Sequence, residues 1–264
     1  MKTHTGPVAL TEYILKQSGQ KADKKAVTLL IQGILAGMYI AIGAVGYLKL
    51  AAGLSDPGLG NFLGAVVFPM GIVAVLLMQA ELYTSDSMIM LAVYTGRIKL
   101  GKIMKVLVLV LIANLIGGIL TAWMTGTSGI LDGKTMELVM SKAVHKVHLP
   151  LGRMLVSSIL CNIIVSTGVC LAYSCKEEIS KIIALWLAIT VFVLTGTEHV
   201  VANMYYLFAA YFGGAQISLL QIFYSLCVSA VGNFIGGGIV VSGMNYLLIR
   251  KEAGMEEQQE PKFH

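Results

Sequence analysis

The chain has 264 residues, 56% hydrophobic and only 12% charged, with a formal net charge of +5. Soluble domains carry about 25% charged residues, so this composition excludes an ordinary water-soluble globule and gives no footing for nucleic-acid binding. It points to a chain that lives mostly in a bilayer.

The first 25 residues hold Lys2, Lys16, Lys21, Lys24 and Lys25 and have no early apolar core or small-residue cleavage site. They do not read as a signal peptide and are expected to stay in the cytosol. Within them, Val8–Gly19 reads as a short amphipathic helix with Leu10, Tyr13, Ile14 and Leu15 on its apolar side. It would lie on the membrane as an interfacial anchor or sit over the cytoplasmic mouth. Charge-free stretches follow: Ala26–Leu48, Val106–Leu131, Met154–Cys175 and Val200–Ile249. A hydrocarbon core takes about 20 apolar residues as helix, and six spans result, near 26–48, 61–95, 106–126, 154–175, 182–212 and 219–249. The second and fifth are too long for one plain helix, so both are expected to be broken. The basic segment Thr127–Arg153 lies between the third and fourth spans as an outer loop. Residues 251–264 form a polar cytoplasmic tail, expected to be disordered from Glu252, after a channel domain at 26–250.

Orientation follows from lysine and arginine. Of 19 such residues, only Lys49, Lys134, Lys142, Lys146 and Arg153 fall in segments that would face outward if the N-terminus is inside. Both termini are therefore expected in the cytoplasm. Four of the five outer charges share Thr127–Arg153, which breaks the general bias and marks that segment for function. Cys161, Cys170, Cys175 and Cys227 contain no C-x-x-C pair and read as small packing residues.

Three spans per half is an odd number, so two such halves, meeting near residue 140, are inverted in the membrane. This gives an all-α membrane protein with an inverted 3+3 repeat. Small-residue faces recur at Gly33-x-x-x-Gly37, Gly117-Gly118 and Gly232-x-x-x-Gly236-Gly237-Gly238. Such faces let helix backbones approach closely, in a tight bundle or an oligomer contact.

Polar residues interrupt the two long spans, Glu81-Leu82-Tyr83-Thr84-Ser85-Asp86 in the second and Thr195-Gly196-Thr197-Glu198-His199 in the fifth. An ionisable group at membrane depth costs about 2.5–3.5 kcal/mol on insertion scales. Matching breaks in the second span of each half therefore indicate a transport path. Thr195-x-x-Glu198 fits a capping box, which gives Glu198 a structural role. His199 would sit in the first turn of the next half-helix, where a neutral imidazole offers one N–H donor; a satisfied core histidine is the plainer alternative. Thr84 and Ser85 precede Met88-Ile89-Met90-Leu91 and read as a helix start, with the threonine hydroxyl facing the same point. Two helix N-termini aimed at one place favour an anion. Lys146, just before the fourth span, would draw anions to the outer mouth. His145 and His148 lack a third ligand nearby, so no metal is expected, and no cofactor. There is no H-E-x-x-H, no G-x-S-x-G and no nucleotide loop, so neither an enzyme nor an ATP-driven pump is expected. Asn-Pro-Ala is absent, although two half-helices resemble the water-channel architecture.

Ala80-Glu81-Leu82-Tyr83-Thr84-Ser85, His145-Lys146-Val147-His148, Cys161-Asn162, Glu198-His199-x-x-Ala202-Asn203-Met204 and Gly232-Asn233-x-Ile235-Gly236-Gly237-Gly238 resemble the formate/nitrite transporter family in order along both halves. The resemblance implies an aquaporin-like six-helix protomer, a homopentamer with one pore per protomer, and lipid or another plug in the central hole. It puts the family's central histidine on His199, its loop threonine on Thr84 and its vestibule lysine on Lys146. Glu198, Asn162 and Asn203 are the implied polar supports. Apolar constrictions are implied at Phe68, Ile72 and Leu82 toward the cytoplasm, and at Phe192 and Val165 toward the outside. The pattern departs from the family at Gln79, where the family prefers Gly, at Tyr83, at Pro69, and at Ser166-Thr167-Gly168. It is similar to the hydrosulfide-channel branch.

The expected function is a passive pore for small monovalent anions, hydrosulfide first, with formate and nitrite as related cargo, in a bacterial cytoplasmic (inner) membrane. The alternative is a proton-coupled formate or nitrite secondary transporter in which His199 and Glu198 cycle protons.

Overall fold

The structure, a computed structural model, describes residues 5–259, with side chains as far as Arg250. Among the described residues every regular element is helical. Six segments are long and apolar enough to cross a membrane: Ala26–Gly53, Pro57–Leu77, Leu100–Thr127, Leu151–Tyr173, Glu178–Thr195 and Leu219–Arg250. The protein is a multi-pass membrane protein with the expected number of spans and a break after the second and after the fifth.

Helix α1 (Pro7–Asp23) precedes α2 (Ala26–Gly53), the first span. The second span is α3 (Pro57–Val67) and α4 (Met70–Leu77), divided at Phe68-Pro69 where proline has no amide to give. Asp56 starts it by accepting from the amides of Gly58 and Leu59 at 2.8 and 3.0 Å. Past the break come α5 (Tyr83–Asp86), a 3₁₀ turn Ser87–Met90 and α6 (Leu91–Tyr94). The third span is α7 (Leu100–Thr127), longer at its start than expected because Lys102 and Lys105 extend to the surface from its first turns.

Thr127–Arg153 is not a loop: α8 (Gly133–Val147) occupies it. It buries Thr135, Val139, Ala143 and Val147, a four-residue stripe, and presents its lysines and histidines on other faces. The second half then repeats the first with α9 (Leu151–Tyr173), α10 (Glu178–Thr195), a break, α11 (Val200–Phe212) and α12 (Leu219–Phe234). A π-helical segment Ile235–Val241 continues into α13 (Ser242–Gln259). That helix carries on past Glu252, where a structureless tail was expected; Ala, Met, Glu and Gln are good helix formers. The other tail residues, 260–264, and residues 1–4 with Lys2 lie outside the described residues.

The glycine faces close helices within the chain. A Cβ on Gly37 would collide with the Asn114 carbonyl of α7, and one on Gly117 with the Ile34 carbonyl of α2. Gly232 and Gly236 do the same against Leu155, Ser158 and Ile159 of α9. In each half, therefore, glycine lets the first and third spans touch backbone to backbone. These glycines are buried within the chain, where they close its own helix pairs.

Candidate functional site

Each break is held by an asparagine from the third span of its own half. Asn114 of α7 accepts from the Tyr83 amide at 2.9 Å and donates to the carbonyls of Glu81 at 2.9 Å and Gly33 at 2.8 Å. Asn233 of α12 accepts from the Val200 amide at 2.8 Å and donates to the carbonyls of Glu198 at 2.9 Å and Ser158 at 2.7 Å. Backbone groups stripped of helical partners in a bilayer need such substitutes. The backbone matches too: Gln79 and Gly196 both adopt the left-handed region, with φ of 52° and 64°.

The helix starts differ from those the sequence suggested. Thr195 is the last residue of α10, because Gly196 ends that helix; its hydroxyl bonds the Phe192 carbonyl at 2.6 Å. The expected capping box at Thr195 and Glu198 is not formed. His199 caps α11 instead, its Nδ1 accepting from the Ala202 amide at 3.2 Å. Thr84 is no cap either, since α5 begins at Tyr83 with Leu82 before it. Its hydroxyl is therefore spare, and it meets His199 Nε2 at 3.0 Å. A neutral imidazole whose Nδ1 accepts carries its proton on Nε2, so the tautomer inferred from this network donates Nε2–H to the Thr84 oxygen. The threonine O–H hydrogen is left to point elsewhere.

Two cavities flank this contact. One, of about 500 Å³, opens beside α8 and is lined by His145, Lys146, Phe68, Phe192, Glu198, His199 and Asn203 among others. Another, of about 750 Å³, opens beside α1 and is lined by Lys16, Lys21, Lys24, Ile72, Glu81 and Ser85 among others. Phe68 and Phe192 pack edge to face, ring centroids 6.0 Å apart, and Phe192 lies 5.5 Å from the His199 ring. Phe68 thus stands with Phe192 on the α8 side, not with Ile72 as expected. It lies four residues before Ile72, about 6 Å up the helix axis. Leu82 and Val165 are buried and line neither cavity.

The lysine of α8 is not free. Lys146 Nζ contacts both Glu198 oxygens at 2.9 and 3.0 Å, and Asn203 donates to Glu198 Oε2 at 2.6 Å. Asn162 lies away from the cavities. Its amide donates to the carbonyls of Thr84 at 3.1 Å and Asn233 at 2.6 Å, and to Ser87 Oγ at 3.1 Å, tying one break to the clamp of the other. His148 is exposed, its ring nitrogen 2.8 Å from the Val144 carbonyl. Among the described residues no three metal-binding side chains cluster.

Sequence reasoning passed over three groups. Asn114 is one: a lone amide in a charge-free span is the signal that would have marked it. The others are Lys21 of α1 and Lys24 just after it, which reach the first break. Lys21 Nζ lies 2.5 Å from Glu81 Oε2 and from Asp86 Oδ1, and Lys24 Nζ 2.5 Å from Glu81 Oε1. Helix α1 is thus latched to the bundle, beyond an interfacial anchor. Burial by itself would lower the proton affinity of Lys21, but the charges of Asp86 and Glu81 outweigh it and hold the lysine well above its ordinary value.

The formate/nitrite transporter family model matches residues 8–247. This chain belongs to the formate/nitrite transporter family. It is 30% identical over 250 residues to the formate channel BtFdhC of Bacillus thuringiensis, covering 93% of this chain and 96% of the relative. It is 29% identical over 267 residues to the formate channel FocA of Escherichia coli K12, covering 92% and 93%. Among solved structures, a pentameric formate channel with formate bound superposes with a TM-score of 0.78 at 26% identity, over 85% of this chain and 97% of that one. An ion channel of the same family gives 0.84 at 23% identity over 92% and 99%, which shows the shared fold. Its relatives are named as channels and transporters, not enzymes.

Proposed function

We propose that the protein is a passive pore for small monovalent anions, with hydrosulfide as the first cargo and formate and nitrite as further ones. The observation that carries this reading is the His199–Thr84 contact, which sets two polar donors between apolar walls and between two lysine-bearing cavities. An anion drawn toward Lys146 loses water against Phe68 and Phe192. Desolvation raises the pKa of the anion's own acid, so it passes as the neutral acid or takes a hydrogen bond from the spare Thr84 O–H, and from His199 Nε2–H once it displaces the Thr84 oxygen. Leu82 and Val165 complete the narrow path. Glu198 and Asn203 set the charge around Lys146, and Asn162 sets the spacing of the breaks. Hydrosulfide rests on resemblance; its conjugate acid is weak and little hydrated, which suits this route.

The pore works as one of five in a homopentamer embedded in lipid, as the pentameric relative supports. We read its membrane as the bacterial cytoplasmic one, and the lysine bias supports both termini and α1 inside, with α8 outside. Residues 1–25, 26–250 and 251–264 serve as inner segment, channel and tail. Proteoliposome uptake of sulfide and formate tests the reading. Uptake that keeps rising with anion concentration is expected; uptake that saturates and is driven uphill by an imposed pH gradient would instead establish the proton-coupled carrier.

A further inference from the structure

The two breaks share a backbone course and a clamped glutamate, and they differ in the polar group five residues further on. Glu81 stands where Glu198 stands, and Lys21 of α1 meets the first as Lys146 of α8 meets the second. Asn203 gives the second break an amide, and it donates to Glu198 at 2.6 Å. The same place in the first break holds Asp86. One break therefore has a carboxylate, an amide and an ammonium, while the other has two carboxylates that share Lys21, with Lys24 on Glu81 alone.

Asp86 is 1% exposed, and its Oδ2 has no hydrogen-bond partner. The groups around the pair are Lys21 of α1, Lys24 just after it, Tyr173 from α9, and Tyr13 of α1, whose ring lies 4.6 Å from that of Tyr173, with Lys16, Glu178 and Lys181 on the walls of the cavity that Glu81 lines. Lys21 is committed to Asp86 Oδ1 and Glu81, and Lys24 to Glu81 and Gln32. A buried carboxylate oxygen without a donor is costly, and a proton relieves it most simply. Glu81 lines the 750 Å³ cavity beside α1, so the pair meets water on that face through Glu81.

We propose that Glu81 and Asp86 hold one exchangeable proton between them and hand it to an anion arriving from the α1 face. The inference rests on the anion-pore reading above. In the step, the carboxylic O–H bond breaks and its proton joins a lone pair of the anion. The neutral acid moves on through the apolar constriction, and the new carboxylate is balanced by Lys21 and Lys24. Water in the α1 cavity returns a proton to the pair, and no electrons change hands. Asn203 holds no such proton, so the acid supply is one-sided.

The test uses the full chain in proteoliposomes sorted for one orientation, with formate as probe and pH varied on one face at a time. The ratio of wild-type to Asp86→Asn flux should rise on the order of tenfold as the α1 face goes from about pH 7.5 to 5.5, and stay level when the α8 face is acidified. A ratio that does not change with α1-face pH reduces the pair to a latch and overturns the proposal. Should Asp86→Asn fail to assemble, Asn203→Asp takes its place: acid-dependent flux gained from the α8 face supports the proposal, and none gained overturns it. If wild type carries no anion at all, the pore reading fails and infrared titration decides the proton site. A protonated-carboxyl band lost in Asp86→Asn supports it, and an identical spectrum overturns it.

Discussion

Asn114 and Asn233 make the same three hydrogen bonds, one amide in each half closing one break. Each takes the first amide after the break and fills one carbonyl before it and one on the first span. Replacing either by alanine strands buried backbone groups, at about 1–3 kcal/mol for each left unmade. Asn114→Ala and Asn233→Ala should both lower the melting temperature of the detergent-solubilised protein. Flux should fall as well, because Thr84 and His199 sit one and zero residues from the clamped segments. Unchanged melting would show that the breaks hold themselves.

Gln79 is the one non-glycine residue with a left-handed backbone among the described residues, in the place that Gly196 takes in the other half. For a residue with a Cβ that conformation costs roughly 1–2 kcal/mol. Gln79→Gly should therefore raise thermal stability, less the entropy glycine gains on unfolding. Gly196→Ala should lower it. Shifts of the same sign in the two variants would contradict this account.

Lys146 is neutralised by a glutamate at 2.9 Å, which changes what its removal does. Lys146→Met leaves Glu198 buried and unpaired, a negative charge beside the path of an anion. Uptake should drop, and added salt should restore little, since buried charges are weakly screened. The double variant Lys146→Met with Glu198→Gln should recover part of the lost flux. A double variant as slow as the single one would make attraction by the lysine, not local charge balance, the whole effect.

His199 has two tasks, a cap on α11 and a donor toward Thr84. His199→Phe removes both, and should abolish sulfide uptake with a stability loss of about 1 kcal/mol from the cap. His199→Asn keeps a side-chain acceptor for the cap and should recover the stability without the flux. Thr84→Ala leaves the helix amides in place and should keep flux while changing the order of anions. Wild-type uptake in His199→Phe would return His199 to a structural role.

The six spans and both breaks were legible because a bilayer makes polar residues conspicuous: an ionisable side chain in a long apolar run must have a reason. The caps were not. Thr195-x-x-Glu198 has the capping-box spacing, but Gly196 between them ends one helix before the next begins, so local spacing pointed to a bond that the backbone forbids. Thr84 gained its free hydroxyl for the same reason, a helix starting one residue earlier. Lys21 and Lys24 were visible only as charges of the inner segment. Their partners lie far along the chain, and no periodicity records an ion pair of that separation. Phe68 was placed on the wrong side because span numbering says which helix holds a residue, not how deep it sits.

The clamps also impose an order of assembly. A re-entrant break entering the membrane behind its second span carries open amides and carbonyls, and lipid offers them nothing. The residue that closes the first break arrives only with α7, and the one that closes the second only with α12, the last span of all. Each half must therefore wait beside the translocation machinery, sheltered or half-inserted, until its third helix is synthesised. A ribosome stalled between α11 and α12 would leave a finished first half and an open second one. Such a nascent chain should be a substrate for membrane quality control, although every residue at the Thr84–His199 contact had already been made.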